Sequence, residues 1–114
     1  MKIEKFEDII AWQKARELTI ITYIQFKNCR DFGFKDQIQR ASVSIMNNIA
    51  EGFERRTNKE LINFLYIAKG SCGEVRSMLY LAREFGYINK EQFDKNYNLS
   101  IEISRIISGF IKTL

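Results

Sequence analysis

Apolar positions along this chain recur every three or four residues in four successive stretches, and no stretch alternates with the period of two that a half-buried strand requires. The first runs over residues 8–26, where Ala11, Ala15, Leu18, Thr22 and Gln25 trace one side of a helix. Ile10, Trp12, Ile21 and Ile24 fall off that stripe. The helix therefore carries more apolar surface than one groove of a small bundle needs, and something else must cover the excess. Residues 28–33 then break the period with Asn, Asp and Gly, all suited to turns.

The second stretch, residues 34–53, places Ile38, Ala41, Ile45, Ile49 and Gly52 on one stripe, with Ala41, Ser42 and Ser44 small enough to let a neighbouring helix approach closely. A polar run over residues 54–58 ends it. Thr57 followed by Glu60 is a capping-box pattern that starts a third helix, predicted over residues 58–85. There Leu61, Leu65, Ala68, Cys72, Val75, Leu79 and Ala82 form a heptad seam, which fits the shallow crossing angles of bundles. Gly70 and Gly73 interrupt its flank, each costing ~1 kcal/mol relative to alanine. That cost predicts close backbone packing at the two glycines, or a local kink. Gly86 stands where a left-handed residue would close the helix. Asn89 and Gln92 offer a second capping box for the last helix, striped by Phe93, Asn96, Ser100, Ile103, Ile107, Phe110 and Leu114 and flanked by Ile101, Ile106 and Ile111.

Four amphipathic helices with short connections predict one all-α domain over residues 1–114, an antiparallel up-down-up-down four-helix bundle. Composition agrees: 46% apolar and 28% charged residues are the balance of a chain that buries a core, and proline, the commonest helix breaker, is absent. The charged N-terminus does not resemble a secretory signal and no run reaches transmembrane length, so no membrane association is expected. Cys29 and Cys72 stand far apart, outside any paired spacing, and read as free thiols of a cytoplasmic protein.

The chemistry available is narrow. There is no histidine, two isolated cysteines cannot build a zinc site, and no Glu-x-x-His pair exists for a di-iron centre. No catalytic site, metal or cofactor is expected. Residues 70–73 superficially suggest a phosphate loop but lie within the heptad helix and lack its Lys-Ser/Thr ending. Asn47, Asn48 and Glu51 are poor mid-helix choices together. Asn48 and Glu51 read as a polar clamp fixing helix register, with a ligand or RNA contact as the rival reading. Arg55, Arg56 and Lys59 gather at the second connection, with Arg40 about four turns earlier and Lys69 nearly three turns later. Such cations are usually a solvated surface, and the net charge of +4 is mild. In an oligomeric ring the same patch would repeat around an axis and could hold phosphates.

Four blocks together, residues 6–18, 37–45, 48–53 and 64–71, resemble the four-helix-bundle proteins associated with intervening sequences of bacterial 23S ribosomal RNA. The resemblance implies a protomer that assembles as a homopentameric, barrel-like ring. It extends to the accessory protein of diversity-generating retroelements, a basic barrel associated with nucleic-acid binding and with contact to a reverse transcriptase. The expectation is a non-enzymatic homo-oligomer that contacts RNA or DNA backbone through Arg40, Arg55, Arg56, Lys59 and Lys69. The alternative is a scaffold or accessory subunit whose partner is another protein, anchored by Trp12 and the spare apolar stripes.

Overall fold

The computed structural model describes residues 2–114, and among them the chain forms four helices and no strand. These are α1 (Ile10–Gln25), α2 (Phe32–Phe53), α3 (Asn58–Glu84) and α4 (Lys90–Lys112), preceded by a 3-10 turn at Phe6–Asp8. Each boundary has a local cause. The Asp8 carboxylate accepts the amides of Glu4 and Lys5 at 3.1 and 3.3 Å, which closes the short turn and delays α1 until after Ile9. Asp31 Oδ1 accepts the Phe34 amide at 3.2 Å, so α2 starts at Phe32, two residues ahead of the expected start, and Gly33 falls inside its first turn. Such an N-cap satisfies a donor that the helix cannot.

Thr57 Oγ1 accepts the Glu60 amide at 3.2 Å, while the Glu60 carboxylate returns to the Thr57 hydroxyl rather than to its amide. Asn89 and Gln92 form the full reciprocal box, at 2.8 and 2.9 Å. Gly86, at φ 77, closes α3 and lets the Tyr87 amide turn back to the Ala82 carbonyl at 2.8 Å.

Each helix packs on the next and α4 returns to α1, whereas the backbones of α1 and α3, like those of α2 and α4, nowhere come close. The helices thus occupy the corners of a square column measuring 42 × 23 × 19 Å. Along the α2–α3 seam, Gln37 bonds Glu74, Ser44 bonds Ser71, and Gly52 lies against Phe64, so the partner's number falls as that of α2 rises. Lys14 with Glu102, then Gln25 with Asn96, follow the same rule between α1 and α4.

All seven seam residues of α3 are buried, as are Ile38, Ala41, Ile45, Ile49 and Gly52 of α2. Each fully buried Leu or Ile contributes about 1.5–3 kcal/mol. The centre of the column also holds polar groups, all of them engaged. Thr19 and Thr22 donate to the carbonyls of Ala15 and Leu18, and the Asn96 and Gln25 amides bond each other. The Cys72 thiol reaches the Ser100 carbonyl at 3.0 Å, and burial pushes that thiol up to about 11, against a smaller opposing influence of Arg76.

The expectation for the α3 glycines is corrected. A methyl at Gly70 would meet nothing within 4 Å, and one at Gly73 would meet only the Arg76 guanidinium at 3.9 Å. Both lie off the seam, where no helix of the same chain approaches. The close approach is at Gly52 instead: a Cβ there would lie 2.6 Å from Phe64 Cβ. Glycine brings the end of α2 onto α3 just before the connection that carries Arg55 and Arg56.

Candidate nucleic-acid interface

The α2–α3 connection is tight, with the Arg55 amide bonding the Gly52 carbonyl at 3.2 Å, and it holds Arg55, Arg56 and Lys59 at one end of the column. Arg55 pairs with Glu51 at 3.0 Å and lies over the Phe64 ring, 4.8 Å from its centroid, which fixes the guanidinium's direction. Arg56 and Lys59 are exposed and, among the described residues, form no ion pair. These three cations form one cluster.

The other two lie apart from it. Arg40 is about 22 Å from Arg55 along α2 by helical rise. It is paired with Asp36 at 2.8 Å and borders an open groove of ≈ 360 Å³ with Tyr23, Val43, Ser44, Asn47 and Asn48. Lys69 is half-buried midway along α3, about 15 Å of helix from Lys59. A single protomer therefore offers one compact cluster of three cations and two outliers, with Arg40 and Arg55 each already partnered by a carboxylate.

The two clamp residues part company in the structure. The Asn48 amide donates to the Ser44 carbonyl at 2.8 Å and to Ser44 Oγ at 2.9 Å, and Ser44 Oγ bonds Ser71 Oγ at 2.9 Å, which links α2 to α3. Glu51 stays exposed and engages only Arg55 on its own helix. Ser44 and Ser71 carry the cross-link, and their small size was the available signal in the sequence.

Apolar surface is left over chiefly on α1 and α3, with Phe32 at the start of α2, at 70%, and Phe85 at the end of α3 exposed as well. On α1, Ile10, Ile20, Tyr23 and Ile24 are exposed, Ile24 at 68%. Trp12 is not free, since its ring packs edge-on against Phe6 at 5.2 Å. On α3, Tyr66, Ile67, Tyr80 and Leu81 are exposed, Ile67 at 51%. The α3 set has a signal in the sequence, apolar residues one and two positions past Leu65 and Leu79.

Residues 7–109 match the family described as 23S rRNA-intervening sequence protein. The chain belongs to that family. A crystal structure of a protein of unknown function from the S23 ribosomal protein family of Bacteroides thetaiotaomicron is similar, with a TM-score of 0.83 and 28% identity over 90% of this chain and 99% of that one. No curated protein matches it significantly. In this member of the 23S rRNA-intervening sequence family, the blocks that carry the resemblance meet in space: residues 37–45 and 48–53 of α2 supply Ser44 and Gly52, and residues 64–71 of α3 supply Phe64 and Ser71. Three of the four blocks thus meet along one helix–helix contact. Among the described residues no three Cys, Asp or Glu side chains gather as metal ligands, and no helix is long and apolar enough to cross a membrane.

Proposed function

We propose that this protein is a non-enzymatic, cytoplasmic homo-oligomer whose antiparallel up-down-up-down protomers close into a homopentameric ring. In this reading the ring holds the backbone of RNA or DNA through Arg40, Arg55, Arg56, Lys59 and Lys69, repeated around its axis. The falling partner numbers along the α2–α3 and α1–α4 seams support the antiparallel course.

The observation that carries the oligomer is the position of the spare apolar residues. Those that would meet a neighbouring copy are Ile20, Tyr23 and Ile24 on α1 and Tyr66 and Ile67 on the first half of α3, two helices that stand diagonally across the column with no close backbone approach. A twofold dimer uses one self-complementary patch, whereas two different patches on opposite sides suit head-to-tail contacts that close into a ring. Ring closure also answers the sparse charge, because three clustered cations become a recurring rim. Nothing in the patch resembles an element that reads base edges, so contact with phosphates is the expected mode.

Light scattering tests the assembly: a mass several times the 13.5 kDa of the protomer is expected, and a protomer mass overturns the ring. A salt titration with structured RNA and duplex DNA tests the contact, which must weaken steeply as salt rises. Binding indifferent to salt, or no binding at low salt, overturns it. A protomer mass without nucleic-acid binding would leave Tyr66, Ile67 and Ile24 to a different protein, which is the scaffold reading.

A further inference from the structure

Away from the cation cluster, α3 and α4 flank an open groove of ≈ 340 Å³ bordered by Tyr80, Arg83, Glu84, Lys90, Phe93 and Asp94. Phe93 and Tyr97, one turn apart on α4, stack at 5.4 Å and 25°. Tyr80 of α3 meets both edge-on, at 5.3 and 5.8 Å. Edge contacts from two rings hold Tyr80 in place, yet its side chain stays 52% exposed. An aromatic ring fixed by its neighbours and open to solvent costs little entropy to use in binding.

Charge borders the rings. Arg76 precedes Tyr80 by one turn and Arg83 follows it, about 10 Å apart along α3 by helical rise. Lys90 and Asp94 neutralise each other at 3.1 Å, whereas Arg83, which borders the groove, holds no ion pair among the described residues; the Arg76 guanidinium turns back toward Gly73, 3.9 Å from where a Cβ would stand. Rings flanked by an unpaired guanidinium suit a ligand that carries both flat π-faces and negative charge.

We infer that this groove is a stacking site for the unpaired bases of single-stranded nucleic acid, with Tyr80, Phe93 and Tyr97 as the platform and Arg83 on a flanking phosphate. The inference rests on the nucleic-acid reading above and adds a contact that the Arg55, Arg56 and Lys59 cluster lacks. Aromatic platforms accept any base because every base has a π-face, and a duplex hides those faces. The groove therefore gives a preference for strand state rather than for sequence.

The test compares fluorescence anisotropy of a labelled thymidine 20-mer with that of an abasic strand of equal length and charge, and with a duplex. The native protein is expected to bind the thymidine strand about 5- to 100-fold more tightly than the abasic one. Tyr80→Ala removes that preference, Tyr80→Phe keeps it, and circular dichroism confirms that both fold. Equal affinity of the native protein for the thymidine and abasic strands overturns the stacking site while leaving the backbone reading intact. Failure to bind any probe at low salt overturns both. If Tyr80→Ala instead lowers the mass in solution and leaves the base preference unchanged, the groove is a contact between subunits and the inference fails.

Discussion

The Tyr87 hydroxyl donates to Asp31 Oδ2 at 2.6 Å and so fastens the α3–α4 turn to the α1–α2 turn. The other Asp31 oxygen caps α2, so one carboxylate serves a helix start and a tertiary latch. That hydrogen bond, and secondarily burial, push the Tyr87 phenol up to about 12. A phenol that titrates higher folded than unfolded adds stability that is complete below pH ~10 and lost as pH rises through the folded value. Tyr87→Phe is expected to melt below the native protein at pH 8, with the gap closing between pH ~10 and about 12. Melting curves followed by circular dichroism at pH 8, 10 and 11.5 check this; a gap constant across that range contradicts the latch.

Glycine substitutions should move stability in opposite directions. Gly52→Ala puts a methyl 2.6 Å from Phe64 Cβ, an atom fixed to its backbone, and is expected to cost about 1–3 kcal/mol. Gly70→Ala adds a methyl to open space within a helix and is expected to gain about 0.5–1 kcal/mol. Urea unfolding of both variants gives the signs, and a loss at Gly70 would mean that a neighbouring subunit packs against it.

The Asn48 and Glu51 side chains should separate in the same assay. Asn48→Ala removes both bonds to Ser44 and loosens the link to Ser71, for about 1 kcal/mol. Glu51→Ala removes one exposed pair on a single helix and is expected to stay within about 0.5 kcal/mol. Equal effects would tie Glu51 into the α2–α3 link.

Charging the spare apolar residues tests how copies meet. Ile24→Asp and Ile67→Asp alter exposed positions, so each protomer should keep its stability within about 0.5 kcal/mol. In a head-to-tail ring both changes strike the same contact from its two sides, and each alone should reduce the mass seen by light scattering. A reduction from only one of them would point to a twofold dimer.

Much of the protomer was legible because burial on each helix is one-sided. The heptad from Leu61 to Ala82 needed no tertiary information, and Asn89 with Gln92 announced a helix start through bonds between residues three apart. What failed was inference about distance from residue type. Gly70 and Gly73 read as contacts because a helix seldom keeps such residues without cause, but a Cβ at either would meet no neighbouring helix, whereas Gly52, which reads as one more member of a stripe, marks the close approach. The cation cluster was legible as sequence neighbours across one turn; the separation of Arg40 and Lys69 from it follows from helix length. The ring cluster of Tyr80, Phe93 and Tyr97 joins two helices, and one-dimensional periodicity does not reveal which faces will meet.

Of the four seams in the column, the one between the first and last helices is the thinnest, closed by the Lys14–Glu102 pair and the Gln25–Asn96 amides. No loop joins those two helices directly, so nothing covalent keeps them side by side. When the molecule breathes, the column should unzip along this line first, with α2 and α3 remaining paired as the last unit to yield. Amide protons of α1 and α4 would then exchange sooner than those flanking Ser44 and Ser71.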